Sequence, residues 1–444
     1  MARPLLWLVL LCASSLTSFA ARAAGLRLAL THVDAKANLS VEERMHRRLA
    51  SMAGGVAAPL HWAGNQYIAE YLIGNPPQKA EAVVAIGSDL FWTQCSSCSP
   101  VCFKQDLSVY DPSMSSTYRA VACTDAACAM SLTGGETQCS VKGTECSVLA
   151  TYGGGVAAGD LAVEEFTFGE EVASLAFGCI GASTLKATSL EGSSGVIGLG
   201  RGALSVVSQL AAGDTTTTRF SYCLGPYFHG AAVNQSHLFV GASAATGLTG
   251  ADTPVTTVPF VTNPNDEPYT TYYYLPLVGI TVGKTRLDGV PAAAFELREV
   301  TPGKWAGTMI DSAYPFMSLV DVAHQALKAE LAAQLGASLV PPPEKVSKRL
   351  ELCVARGEVA TVVPPLVLHF AGAGGDVVVP PENYWAPVDE VTACMLVFSA
   401  AQPNAKLPMS ETTVIGNFMQ QNMYLLYDLG NGVLSFQPAD CSSM

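Results

Sequence analysis

Several groupings of residues in this chain have types and spacings that chemistry could use, and most are dismissed by the spacing itself. Cys95-Ser-Ser-Cys98-Ser-Pro-Val-Cys102 offers three thiolates to a zinc ion. A structural zinc site wants a fourth Cys or His at suitable spacing. The nearby Cys123 and Cys128 are better explained as disulfide partners, so no metal is expected. Gly198-Leu-Gly-Arg-Gly202 has the small residues of a phosphate loop, but nothing like G-K-[ST] follows it. The seven His show no spacing for zinc or for a Ser-His-Asp arrangement, and no cofactor is expected. What remains is a carboxyl: the short run Thr308-Met-Ile-Asp311-Ser312-Ala313 ends in an acid. Its counterpart, Val83-Val84-Ala85-Ile86-Gly87-Ser88, has Ala85 at that place.

The elements that must position these residues come in two sets. Each run is followed roughly a hundred residues later by two hydrophobics and a glycine, Val196-Ile197-Gly198 and Val414-Ile415-Gly416. The repeat predicts two lobes of similar plan, residues 55–250 and 251–444. Strands are expected at Tyr67 to Ile73, Lys79 to Val84, Leu161 to Phe168, Val172 to Cys179, Leu238 to Val240, Tyr272 to Val282 and Val377 to Val379, all rich in β-branched and aromatic residues. Leu327, Leu331 and Leu335 recur at helical spacing, with Asp321 to cap and Gly336 to stop, which predicts one helix from about Val320 to Leu335. Shorter helices are expected at Ser205 to Ala212 and Asp125 to Leu132.

Composition narrows the class. Of 444 residues 49% are hydrophobic and only 14% charged, against the usual ~25%, which excludes a disordered chain. The net charge of −13 argues against a nucleic-acid partner. Arg3, the apolar Leu5 to Leu11 and Ala21-Arg22-Ala23 read as a secretory signal over residues 1–23. No later apolar stretch is long enough to span a bilayer, so no membrane insertion is expected. The address is then extracellular (the apoplast), with the vacuole as the other destination. Removing Cys12 with the signal leaves twelve cysteines, enough for six disulfides. Residues 24–54 carry net +2 and residues 55–444 net −17, so the leader reads as a pro-segment held electrostatically, or equally as a solvated helix.

The ordered motifs resemble those of the pepsin-like aspartic proteases, the plant nepenthesin-like branch most of all. Gln66-Tyr-Ile-Ala-Glu-Tyr-Leu-Ile-Gly-Asn-Pro-Pro-Gln78 and Gly87-Ser-Asp-Leu-Phe-Trp-Thr-Gln-Cys95 carry the likeness first. Tyr110 to Tyr118, Tyr152 to Leu161, Gly195 to Ser205, Arg219 to Leu224 and Val414 to Asp428 extend it nearly to Cys441. The resemblance implies a mostly β, bilobal fold with a few short helices and a central cleft that takes an extended polypeptide, in a protein expected to be a monomer. In that family each lobe supplies one Asp from a D-[TS]-G turn, and the two carboxyls share a proton while they activate water.

At the second turn this chain keeps Asp311-Ser312, with Ala313 where Gly is usual and Tyr314-Pro315 beyond it. At the first it has Ala85-Ile86-Gly87-Ser88. Ala85 holds no proton, and Ile86 lacks the hydroxyl that in the family helps tie the turns together. Asp89 is read as a turn or surface carboxylate, too far along the chain to substitute. Tyr152 matches the flap tyrosine and Trp92 the residue that braces it. The resemblance also implies the bridges Cys95–Cys98, Cys102–Cys179, Cys123–Cys146, Cys128–Cys139, Cys223–Cys441 and Cys353–Cys394. Asn234 is the expected glycosylation site. The chain is therefore expected to be an aspartic-type endopeptidase by family, impaired or inactive by residue content. The other reading is a secreted binding protein or inhibitor of plant defence, like the xylanase inhibitors; a decayed gene copy is a third.

Overall fold

The computed structural model describes residues 25–36, 40, 42–45, 67–132, 137–140, 143–152, 155–186, 190–211, 217–226, 236–244, 253–372, 375–402 and 405–443. The signal (1–23) and Asn234 lie outside the described residues. Strands dominate, as the alternating and β-branched runs predict. A large sheet runs in the order Thr256–Pro259, Val433–Pro438, Met423–Asp428, Arg219–Cys223, Ser236–Gly241, Gly25–His32, Tyr67–Ile73, Gln78–Ala85, Gly195–Gly198, Trp92–Gln94, Glu171–Ser183, Gly155–Phe168, Cys146–Tyr152, Thr137–Cys139. Arg219–Cys223 pairs antiparallel with Met423–Asp428 over five residues, so the two ends of the chain's plan share one ladder.

The internal repeat has a structural meaning. Gly195–Gly198 runs parallel to Gln78–Ala85, with Gly198 opposite Ala85. Thr413–Ile415 runs parallel to Thr308–Ile310, with Ile415 opposite Ile310. In each half one strand delivers the residue at the site and its parallel neighbour holds that strand's end. The glycines after the paired hydrophobics permit a close crossing. A Cβ at Gly198 would come within 2.7 Å of the Asp89 backbone, and one at Gly416 within 2.1 Å of the Phe316 carbonyl.

The helix Asp321–Leu335 buries Ala323, Leu327, Leu331 and Leu335, the face the leucine spacing marks. Its cap is Val320 and not Asp321, and Gly336 (φ 48°) ends it in a backbone conformation only glycine takes easily. The expected run Tyr272 to Val282 is two strands, Tyr273–Tyr274 and Leu277–Val282, broken at Pro276 and belonging to different sheets. The short helices are Ala126–Leu132 and Val206–Ala211.

The leader is not held mainly by charge. Its residues Gly25–His32 form a strand inside the large sheet, and Leu26, Leu28 and Leu30 are buried in the main core. Each such side chain contributes roughly 1.5–3 kcal/mol through burial.

Four of the six expected bridges are corrected. The structure joins Cys95–Cys179, Cys98–Cys102, Cys123–Cys139 and Cys128–Cys146, in place of Cys95–Cys98, Cys102–Cys179, Cys123–Cys146 and Cys128–Cys139. Cys95 follows the strand Trp92–Gln94, which runs parallel beside Cys179, and both sulfurs are buried. The chain then turns outward, leaving Cys98 and Cys102 to each other across a Cα separation of 5.9 Å. Cys128 and Cys146 are both fully buried, so they meet inside while Cys123 and Cys139 close the outer edge. Cys223–Cys441 and Cys353–Cys394 form as expected, the latter between residues directly opposite on paired strands.

Peptide mapping without reduction should recover Cys98–Cys102 within one fragment and Cys95 linked to Cys179. A Cys95–Cys98 fragment would contradict this pairing.

Candidate active site

The two turns of the repeat lie against each other. Ala85 ends the strand Gln78–Ala85 and is fully buried, its carbonyl accepting from the Leu199 N–H at 2.9 Å. Its methyl belongs to an apolar cluster that also contains Leu90, Trp92, Tyr152 and, from the opposite turn, Ala313. Asp311 follows the strand Thr308–Ile310, and its N–H donates to the Ile415 carbonyl at 3.1 Å. Gln420 donates to the carbonyls of Ile415 (2.8 Å) and Asp311 (3.3 Å), and its own Oε1 accepts from the Tyr222 hydroxyl at 2.5 Å. Asn417 donates to the Ser312 carbonyl at 2.8 Å. The second turn is therefore fixed through backbone groups from the chain that follows Gly416.

The Asp311 carboxyl is buried, and Oδ1 accepts the Ala313 N–H at 2.8 Å. Burial pushes its pKa up to about 7, opposed only by that N–H. No other carboxylate acts on it. A shared-proton pair needs two carboxyls whose charges feel each other, and Ala85 supplies none.

The tie between the turns is missing on both sides. Ile86 is buried and brings no hydroxyl, and the Ser312 Oγ is buried without a hydrogen-bond partner among the described residues. Other contacts join the halves here. Asp89 is not a surface group but 8% exposed. Its Oδ1 accepts from the Gly202 N–H (2.7 Å) and its Oδ2 from the Thr271 hydroxyl (2.6 Å). Burial raises its pKa, and those two donors partly offset the rise. Tyr273, two residues beyond Thr271, donates to the Leu199 carbonyl at 2.7 Å. Asp89 thus bridges the glycine-rich turn of the first half to the strand beside Asp311.

The flap residue sits where the sequence places it. Tyr152 ends the strand Cys146–Tyr152, opposite Gly155, and its hydroxyl accepts the Trp92 indole N–H at 2.6 Å. The Ser88 Oγ lies 3.3 Å from the same hydroxyl. Tyr314 turns away into a cluster with Tyr269, Tyr272, Tyr274 and Met309. Burial pushes its hydroxyl up to about 12. Thr271, Tyr273, Gln420 and Asn417 were not predicted as site residues. Each is identified by a partner in a distant stretch of chain, and nothing local marks it. Among the described residues no group of three His, Cys, Asp or Glu could hold a metal ion.

A two-half β architecture with equivalent turns meeting in the middle, one of them carrying a buried carboxyl, defines the class of pepsin-like proteins. Residues 67–242 match the family "Xylanase inhibitor N-terminal" and residues 272–438 "Xylanase inhibitor C-terminal". Aspartic proteinase nepenthesin-1 of Nepenthes gracilis is 30% identical over 441 residues, covering 95% of this chain and 92% of the relative. Aspartyl protease 37 of Oryza sativa subsp. japonica is 31% identical, covering 98% of each chain. The solved structure of basic 7S globulin from soybean shares the fold at TM-score 0.65 and 17% identity, over 94% of this chain and 97% of that one. The structure of edgp does so at TM-score 0.67 and 18% identity, over 95% and 96%. The chain belongs to the plant pepsin-like, nepenthesin-related aspartic protease family.

The raised Asp311 pKa has a thermodynamic sign. Between an ordinary carboxyl pKa and about 7 the folded state holds a proton that the unfolded chain has released. Its contribution to stability is therefore fully present at low pH and is lost as pH rises through about 7. Denaturant unfolding of the native chain and of Asp311→Asn should differ in pH dependence. The native chain should lose stability relative to the variant by a few kcal/mol from about pH 4 to 8, at no more than about 1.4 kcal/mol per pH unit. Parallel profiles would show that Asp311 is not held protonated.

Proposed function

We propose that this family member is a secreted pseudo-protease that binds extended peptides in its cleft and does not cut them. The observation that carries the reading is the single buried carboxyl of Asp311 in a turn that packs against Ala85. Peptide hydrolysis by this family's route needs one ionised carboxyl to draw a proton from water and one protonated carboxyl to give a proton to the carbonyl. With a pKa near 7, Asp311 is neutral at acid pH and can only donate; at higher pH it is ionised and can only accept. No state of the chain supplies both functions at once. Loss of one general acid–base partner typically costs ~10²–10⁴ in rate, and members of a unit fail together.

Binding does not need the dyad. Tyr152, steadied by Trp92, closes one side of the cleft, and the protonated Asp311 is a hydrogen-bond donor for a ligand carbonyl. A second reading is supported by both matched family halves, which carry the description of xylanase inhibitors. In that reading surface loops, and not the cleft, engage a protein partner. The signal-like N-terminus and six disulfides support an extracellular or vacuolar address for either.

Purified protein should show no pepstatin-sensitive cleavage of a broad peptide substrate at acid pH, and Ala85→Asp with Ile86→Thr should restore part of it. Robust cleavage that disappears in Asp311→Ala would refute the reading. A labelled peptide should still bind weakly, more tightly below about pH 7 than above it, and Tyr152→Ala should weaken it several-fold. Binding that ignores both changes would favour the inhibitor reading.

A further inference from the structure

The leader is built into the molecule. Gly25–His32 lies between two strands, paired over six residues with Ser236–Gly241 and over three with Tyr67–Ile73, so both its edges are used. Leu26, Leu28 and Leu30 fill the main core, and Val33 packs in the cluster that holds Ala85, Trp92 and Tyr152. Beyond the strand, the Lys36 ammonium pairs with Glu81 and, at 3.1 Å, with Asp106. Glu81 is only 3% exposed. Farther on, Met45 is buried and Glu42 pairs with Lys345, in the second half.

We propose that residues 25–45 remain bound in the working protein as a permanent strap, contributing a strand to the first half and a contact to the second, and are not a cover discarded on maturation. Their departure would leave the facing edges of Ser236–Gly241 and Tyr67–Ile73 without partners and three leucine sites in the core empty. It would also leave Glu81 buried without its cation, an arrangement proteins avoid. The inference is independent of the cleft's inertness: a foreign protease could cut the chain beyond residue 45, and the same contacts would hold the segment.

Acid does not undo this attachment. The titratable groups at the contact are His32, Asp34, Lys36, Glu81, Asp106, Glu42 and Lys345, with Arg27 lying over the Phe239 ring at 5.5 Å. Protonating Glu81 and Asp106 loosens Lys36. It does not touch the ladder or the leucines, which carry no proton to exchange.

The test uses the full chain carrying the recognition sequence of a site-specific protease inserted after residue 52. After cutting, gel filtration at pH 7, at pH 7 in about 1 M salt, and at pH 4 is followed by mass spectrometry of the body fraction. The fragment should co-elute with the body in all three, because salt and acid weaken only the ion pairs. Lys36→Met should retain it as well. Leu28→Asp should lower the melting temperature by several degrees or more, with any loss of the fragment coinciding with loss of near-ultraviolet circular dichroism. A body that elutes without the fragment and keeps that signal would overturn the proposal, as would a Leu28→Asp protein that melts like the native one. Peptidase assays on the same preparation keep the two ideas apart, since an active protein that retains the fragment refutes only the functional reading.

Discussion

Removing a carboxyl from water costs the ionised form far more than the neutral one, so a buried acid without a cation keeps its proton. That constraint sets the character of the whole cleft. Asp311 has one backbone N–H for company, and burial lifts its pKa to about 7. Had a second carboxyl stood at Ala85, the two would have titrated as a unit, one giving up its proton early because the other retained one. Replacing that group with a methyl changes more than a count of functional groups. It turns a coupled acid–base pair into a single weak acid in an apolar setting, where Ala85 and Ala313 pack together.

The architecture around this centre has kept the parts that position and altered the parts that react. Parallel pairing still holds both turns at their strand ends, and Gln420 and Asn417 still fasten the second turn by its carbonyls. The turn hydroxyls no longer join the halves, since Ile86 has none and Ser312 is unpartnered. Asp89 to Thr271, Tyr273 to Leu199 and the shared ladder of Arg219–Cys223 with Met423–Asp428 carry that connection. Rigid lobes and an intact Tyr152–Trp92 contact around a chemically quiet floor suit a protein that recognises a chain rather than one that breaks it.

How much of this was legible in the sequence depended on how local the cause was. The long helix was readable from Leu327, Leu331 and Leu335, and the two parallel pairings from the repeated hydrophobic-hydrophobic-glycine triplets. The missing acid at Ala85 was visible at once. Disulfide partners were not, because burial and register decide them: Cys95 meets Cys179 across a parallel neighbour 84 residues away. Asp89 looked like a turn residue because Thr271, the partner that explains its burial, is 182 residues off. The leader was misjudged for a different reason. Charge drew attention to its arginines, while the alternation in Leu26-Arg27-Leu28-Ala29-Leu30-Thr31 already described a half-buried strand.

The measurement closest to the central claim is the titration of Asp311 itself. Carbon-13 NMR of the side-chain carboxyls, assigned by comparison with Asp311→Asn, should show this group passing through one step near pH 7. A midpoint near the ordinary carboxyl value of ~4, or two coupled steps as for a carboxyl pair, would contradict the account.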